Sequence, residues 1–155
     1  MPATTDDQPL EGRFDGSEHR FPVRVYFEDT DLTGVVYHAN YLRYMERARS
    51  DMLRLVGIDH RGSIAAGAGG YAVSALAIRY LRPAALDDNL VVVSRMTQLR
   101  AASGVIQQRV MRGDTILSEA EVTVALVGPT GRPLRQPKEW IAALQKVMAL
   151  GDEQA

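Results

Sequence analysis

The chain of 155 residues contains no cysteine, which excludes disulfides, thiolate-ligated metal sites and a cysteine nucleophile. It also lacks a G-x-S-x-G nucleophile elbow, an internal repeat and any run of 18 apolar residues that could span a bilayer. Residues 1–19 have neither a cationic start nor an apolar segment, so they do not resemble a secretory signal. We therefore expect a cytoplasmic protein that is not an integral membrane protein.

Neither positive nor negative charge is in excess. The chain has 18 basic and 19 acidic residues and a formal net charge of -1, so nothing in its bulk electrostatics favours nucleic acid as a partner. The length and the 46% hydrophobic content suit one globular domain. Residues 1–19 are polar and aperiodic and are predicted to be a flexible tail, with a single domain over residues 20–150.

The remaining pattern predicts a strand, a long helix and then a series of strands. "RFPVRVYFE" from Arg20 is β-branched and aromatic, as in a strand. Apolar residues then recur at helical spacing from about Asn40, and Gly57 suits a left-handed C-cap. Four strands are predicted in "YAVSALAIRYLRP", "NLVVVSRMTQLR", "SGVIQQRVMRG" and "TILSEAEVTVALVG". The short links "RAASG" and "RGD" predict that the last three pair as an antiparallel meander, and "PKEWIAALQKVMAL" predicts a C-terminal helix.

The last predicted strand has a regular alternation of side chains. One face is expected to hold Ile116, Ser118, Ala120, Val122 and Val124, and the other Leu117, Glu119, Glu121, Thr123 and Ala125. This alternation is typical of a sheet with one covered and one wetter face.

The motif D-x-D-x-T-G at Asp29–Gly34 fits three chemistries. A calcium loop of the EF-hand type would require a preceding helix and a glutamate where Asn40 stands. A magnesium-dependent phosphatase of the haloacid dehalogenase type would use the first aspartate as a nucleophile, with Asp87 and Asp88 as metal ligands, but that family needs a parallel sheet. A metal-free acyl hydrolase is the third reading.

Three segments together resemble one known family. "VRVYFEDTDLTGVVYHANYLRYMERAR", "IRYLRPAALDDNLVV" and "SEAEVTVALV" are similar, in order and spacing, to the hotdog-fold acyl-CoA thioesterases of the 4-hydroxybenzoyl-CoA thioesterase group, and most of all to the YbgC-type enzymes encoded with the bacterial Tol-Pal system. The resemblance implies an α+β fold, in which a five-stranded antiparallel sheet wraps around a long central helix. It also implies a homodimer, commonly doubled to a homotetramer. Leu32 and Thr33 stand where these enzymes often have smaller residues.

The resemblance also implies which residues act. Asp31 would be the catalytic nucleophile or general base, with Asp29 as a supporting neighbour. Without the family motif, the simpler reading of Asp31 would be a turn or helix-capping residue. A backbone amide near His38, at the start of the helix, would polarise the thioester carbonyl. The His38 side chain itself fits either a pocket residue or a partner of Asp31.

Substrate-binding roles would fall to Gly34, Val35, Tyr37, Glu46 and Arg82. Arg82 is a candidate for the coenzyme A phosphates, and Glu46 for the acyl pocket. No cofactor and no metal are expected. The substrate would be an acyl-CoA or an acyl carrier protein thioester. Two other functions on the same fold remain open: a non-catalytic acyl-CoA-binding or scaffold protein, and, with a poorer match, a dehydratase.

Overall fold

A computed structural model of the chain describes residues 5–152. The strands are β1 (Arg13–Asp15), β2 (Glu18–Arg24), β3 (Gly70–Tyr80), β4 (Asn89–Leu99), β5 (Ser103–Arg112) and β6 (Thr115–Val127). The helices are α1 (His38–Leu55), α2 (His60–Ala65) and α3 (Lys138–Asp152), with 3-10 turns at Thr5–Asp7 and Phe27–Asp29. No helix within residues 5–152 is both long and apolar enough to cross a membrane.

The strands form one six-stranded antiparallel sheet in the order β1-β2-β4-β5-β6-β3. The consecutive pairing of β4, β5 and β6 confirms the predicted meander, and the antiparallel sheet with its long helix α1 confirms the predicted α+β class. The predicted strand count of five was one too low, because β1 adds a three-residue strand beside β2. An all-antiparallel sheet contradicts the doubly wound parallel fold that the phosphatase reading needs.

The N-terminal segment is more ordered than its sequence indicates. Both β1 and the start of β2 lie inside the predicted flexible tail, so that tail cannot extend to His19. The side chain of His19 is fully buried, and its ring packs edge-on against Phe14. The hairpin escaped prediction because its inward-facing residues include a histidine, which a hydrophobic pattern counts as polar.

The buried His19 ties the hairpin to α1. Its Nε2 lies 2.7 Å from Oδ2 of Asp51, and the amide of Gly12 donates to the same oxygen at 3.0 Å. Burial lowers the pKa of His19 more than the hydrogen bond and charge of Asp51 raise it. The imidazole is therefore neutral at pH 7, and we assign the Nε2 proton as the donor to the carboxylate.

The alternation predicted for β6 is confirmed from Ser118 onward and is wrong at the start of the strand. Leu117 is fully buried, whereas Ile116 is only half-buried. The register explains the exchange: Val110 pairs with Ser118 and Met111 pairs with Ile116, so Leu117 is an extra residue in the ladder. Such a bulge reverses which side chains face the core.

The central helix α1 packs against β2, β4 and β5 of the sheet. Its buried side chains include Tyr41, Tyr44, Met45, Ala48 and Met52, which belong to the main core cluster. The helix begins at His38, two residues before the predicted start, and Gly57 follows its end with a φ of +86°, which confirms the predicted left-handed cap.

Candidate active site

The loop before α1 is folded around the backbone of Asp29. Its carbonyl oxygen accepts hydrogen bonds from the amide of Tyr37, at 2.9 Å, and from Nδ2 of Asn40, at 2.9 Å. Its carboxylate accepts the amide of Tyr26 at 2.8 Å. Asp29 therefore joins both ends of the loop to the first turn of α1, which suits the supporting role expected for it.

Asp31 lies at a tight turn in this loop. Its carbonyl oxygen accepts the amide of Gly34 at 3.0 Å, and its own amide donates to the carbonyl of Val35 at 2.9 Å. Gly34 has a φ of +84°, a conformation that strains other residues. A Cβ at Gly34 would meet nothing within 4 Å, so the glycine is needed for its backbone conformation rather than for space.

One oxygen of the Asp31 carboxylate is held by Thr33. Oδ1 accepts the amide of Thr33 at 2.8 Å and its hydroxyl at 2.5 Å. These two bonds are the main reason that the pKa of Asp31 lies below its ordinary value; the amide of Val35 and the charge of His38 add smaller effects in the same direction. The side chain is exposed and therefore ionised at neutral pH.

The first turn of α1 presents unpaired backbone donors beside this carboxylate. In the described part of the chain, the amides of His38 and Ala39 have no hydrogen-bond acceptor. The carbonyl of His38 accepts the hydroxyl of Tyr80 at 2.8 Å, which holds the turn in place from the end of β3. Free amides at a helix N-terminus attract negative charge.

Asp31, His38 and Tyr80 line one surface cleft of about 340 Å³, which we call the Asp31 cleft. Its lining consists of Asp31, Val35, Val36, His38, Tyr41, Tyr80, Leu81, Arg82 and Pro83. Of the residues predicted for the site, the cleft brings together Asp31, Val35, His38 and Arg82. Tyr37 does not line it, but its ring packs 4.5 Å from that of His38.

The far wall of the cleft is the loop between β3 and β4. The amide of Val36 donates to the carbonyl of Ala84 at 2.8 Å, and the amide of Ala84 donates to the hydroxyl of Tyr41 at 3.1 Å. Asp88 accepts hydrogen bonds from the amide of Ala85, at 2.9 Å, and from Arg112, at 2.8 Å. Asp88 therefore braces this loop, and the metal-ligand role that the phosphatase reading gave it has no support.

Glu46 is not part of the Asp31 cleft. It lies eight residues beyond His38, about 12 Å along the helix axis, and borders a separate inner cavity of about 250 Å³. The apolar lining of the inner cavity is Met52, Leu53, Val73, Met96, Ile106, Val124 and Leu144. Its polar lining is Glu46, Arg49, Ser50, His60, Tyr71 and Gln136. Within one chain, Glu46 therefore borders a different cavity from the cleft that Asp31 lines.

Sequence reasoning gave no role to Thr33, Tyr41 or Tyr80. Thr33 had a local signal, because serine and threonine near an aspartate often form side-chain turns. No local sequence signal indicated Tyr80, because it contacts His38 across 42 residues of the chain. Within residues 5–152, no group of three or more histidine, aspartate or glutamate side chains is placed to hold a metal ion.

Comparison with known proteins identifies the family. A family model described as the thioesterase superfamily matches residues 33–119. The acyl-CoA thioester hydrolase YbgC of Escherichia coli is 40% identical over 129 residues, which cover 82% of this chain and 96% of that protein. The acyl-CoA thioesterase YbgC of Haemophilus influenzae is 43% identical over 124 residues, 79% of this chain and 91% of that protein.

A solved structure agrees with these sequences. The crystal structure of a probable thioesterase from Bartonella henselae has a TM-score of 0.73 and 37% identity, and the match covers 77% of this chain and 99% of that one. The chain therefore belongs to the thioesterase superfamily. Within that superfamily it is a YbgC-type hotdog thioesterase, an enzyme that hydrolyses thioesters, which confirms the resemblance read from the sequence.

Proposed function

We propose that the chain hydrolyses acyl-CoA thioesters at the Asp31 cleft, without a metal, and that it does so in the cytoplasm. The observation that supports this most is the placement of an ionised carboxylate, Asp31, in the same cleft as the start of α1, where two backbone amides lack acceptors. The curated relatives named as acyl-CoA thioesterases indicate the substrate class.

The two groups have complementary roles in the reaction. The amides of His38 and Ala39 would bind the carbonyl oxygen of the thioester more strongly as it gains negative charge, as in an oxyanion hole. Asp31 then acts in one of two ways. As a nucleophile, its oxygen bonds to the carbonyl carbon, the C–S bond breaks, the thiolate takes a proton from water, and water hydrolyses the anhydride. As a general base, it takes a proton from water while the water oxygen attacks that carbon; the C–S bond then breaks, and the leaving thiolate takes the proton from Asp31.

Arg82 is the proposed contact for the phosphates of coenzyme A. It is exposed at the rim of the Asp31 cleft, and its side chain has no ion-pair partner in the described residues. Arginine suits this role because its planar guanidinium can make two parallel hydrogen bonds to a phosphate.

Replacement of Arg82 by glutamine tests that contact. We expect KM for an acyl-CoA to rise about fivefold, equivalent to roughly 1 kcal/mol for a solvated charge pair. KM for the same acyl group on N-acetylcysteamine should not change, because that thioester has no phosphates. Arg79→Gln is the matched control, since Arg79 lies three residues away and pairs with Glu119. Equal effects on both substrates would contradict the assignment.

A homodimer through β3 would complete the site. Within residues 5–152, β3 pairs only with β6, and residues 72–77 are exposed along it. An unpaired edge of this length is a surface for another strand. Antiparallel pairing of two copies about residue 75 would set the Tyr71 end of one β3 beside the Tyr80 end of the other. The inner cavity of one copy, which Glu46 borders, would then receive the acyl group of a thioester bound at the other copy's Asp31 cleft.

The dimer prediction is tested by a charge on the exposed edge. We expect sedimentation velocity at micromolar concentration to show a dimer for the wild type and mainly monomer for Leu76→Asp, because the two new carboxylates would be diagonal neighbours on one face of the joined strands. Leu86→Asp is the control, since Leu86 is similarly exposed, at 46% against 37%, but lies in the loop after β3. A monomeric wild type, or an unchanged mass for Leu76→Asp, would contradict the proposal.

The function itself is tested by release of free thiol from a panel of acyl-CoAs of increasing chain length and from acyl carrier protein thioesters. We expect turnover of at least one acyl-CoA, with the length preference reporting the size of the acyl space. A non-catalytic acyl-CoA-binding protein is the second candidate, because it would use the same cleft. It would bind these thioesters in calorimetry and release no thiol, a result that would overturn the proposed hydrolysis.

A further inference from the structure

The Asp31 carboxylate has two oxygens in different environments. Oδ1 accepts both donors of Thr33, the amide at 2.8 Å and the hydroxyl at 2.5 Å. Oδ2 has no hydrogen-bond partner among the described residues. Hydrogen bonds to Oδ1 restrict the rotation of the carboxylate group that would otherwise exchange its two oxygens. The free oxygen, Oδ2, therefore keeps one orientation.

The backbone of the loop places Thr33 for this contact. The turn from Asp31 to Val35 is closed by two main-chain hydrogen bonds, and Gly34 supplies the positive φ that the chain needs after Thr33. The hydrogen bond from the backbone amide to Oδ1 is available to any residue at position 33 except proline. The hydrogen bond from the hydroxyl is available only to threonine or serine, so one of the two hydrogen bonds that hold the carboxylate depends on this side chain.

From this arrangement we infer that Thr33 is a positioning residue for thioester hydrolysis, which holds Oδ1 of Asp31 and leaves Oδ2 to meet the carbonyl carbon or the attacking water. The inference rests on the proposed role of Asp31. It assigns a function to a residue that touches only the carboxylate and not the thioester.

The electrostatics of the cleft agree with the geometry. The two bonds from Thr33 favour the ionised form of Asp31, so its pKa lies below the ordinary value. The other ionisable groups that line the cleft are His38 and Tyr41 from α1, Tyr80 from β3 and Arg82 from the following loop. The carboxylate of Asp31 therefore stays ionised to a lower pH, and loss of the Thr33 hydroxyl would make it protonate at a higher pH.

The test compares the pH profile of kcat/KM for the wild type, Thr33→Val and Thr33→Ser. In Thr33→Val, which keeps the shape and removes the hydroxyl, we expect the acid limb to move to higher pH. At neutral pH, kcat should fall about tenfold, because the carboxylate is less well oriented, with little change in KM. Thr33→Ser should restore both values. Thr30→Val is the matched control: Thr30 lies in the same loop, but its hydroxyl donates to the carbonyl of Phe27, at 2.7 Å, so the acid limb should stay in place.

A second readout separates this inference from the proposed function. Carbon-13 NMR of the side-chain carboxyl, assigned with Asp31→Asn, gives the titration of Asp31 whether or not the protein turns over a substrate. A higher titration point in Thr33→Val than in the wild type and Thr30→Val is the expected result. An unchanged titration, or an acid limb that stays in place while the titration moves, would overturn the role of Thr33. Full activity of Asp31→Asn would instead overturn the role of Asp31.

Discussion

Asp31→Asn is expected to lower kcat/KM for acyl-CoA hydrolysis by about 10²- to 10⁴-fold, the usual contribution of a positioned base. Asparagine has nearly the same shape but cannot accept a proton or form a stable bond to the carbonyl carbon. The side chain is exposed, so the melting temperature should change little. The measurement is the rate of free thiol release at several acyl-CoA concentrations, together with thermal unfolding of both proteins.

Asp29→Asn is the matched control for this prediction. It removes an equal charge two residues away, while the amide oxygen of asparagine can still accept the hydrogen bond from the amide of Tyr26. We expect it to keep most of the activity. If Asp29→Asn lost as much activity as Asp31→Asn, the division of the motif into one reacting aspartate and one supporting aspartate would be wrong.

The second large effect concerns stability. His19→Ala should lower the free energy of unfolding by about 3 kcal/mol or more, because it leaves the buried carboxylate of Asp51 with only the amide of Gly12 as a donor and opens a cavity. Asp51 is only 3% exposed, and the hairpin of β1 and β2 is joined to α1 through this pair. In thermal unfolding, the loss corresponds to a fall of roughly 6–12 °C in Tm.

His19→Gln serves as the control. Its amide nitrogen lies near the position of the imidazole Nε2 and can donate to Asp51, so we expect less than half of the loss seen with alanine. Equal destabilisation by both substitutions would show that packing of the ring against Phe14 matters more than the hydrogen bond.

The same histidine predicts a direction for the effect of pH on stability. Its pKa in the folded protein lies below the ordinary value of 6.5, so the unfolded chain takes up a proton before the folded one does. The free energy of unfolding should therefore fall as the pH drops below about 6.5. His60, whose pKa burial also lowers, contributes in the same direction. Urea unfolding between pH 5 and pH 8 should show a smaller loss in His19→Gln than in the wild type.

The elements that were predictable from sequence are those specified by local patterns. The helical repeat that ends at Gly57 gave α1, and hairpin-sized links gave the antiparallel order of β4, β5 and β6. The motif around Asp31 indicated the family, because its spacing to later segments is specific. In each case, the decisive residues lie close together in the chain or form a pattern that recurs in a known family.

The features that sequence reasoning missed depend on distant partners. His19 is buried because Asp51, 32 residues away, accepts its hydrogen bond, and no local pattern records that pairing. The bulge at Leu117 follows from the register with β5, which the sequence of β6 alone does not specify. The helical spacing of Glu46 from His38 is visible in the sequence, but the existence of a second cavity beside Glu46 follows from the packing of residues on other elements, such as Met96 and Leu144.

Metal-free hydrolysis by Asp31 is tested most directly by the initial rate of coenzyme A release by the wild-type protein after dialysis against EDTA, with Asp31→Asn assayed in parallel. We expect the chelated wild type to hydrolyse acyl-CoA as fast as the untreated protein, and Asp31→Asn to be slower by at least about 10²-fold. Loss of the wild-type rate on chelation, or an equal rate in Asp31→Asn, would contradict metal-free hydrolysis by Asp31.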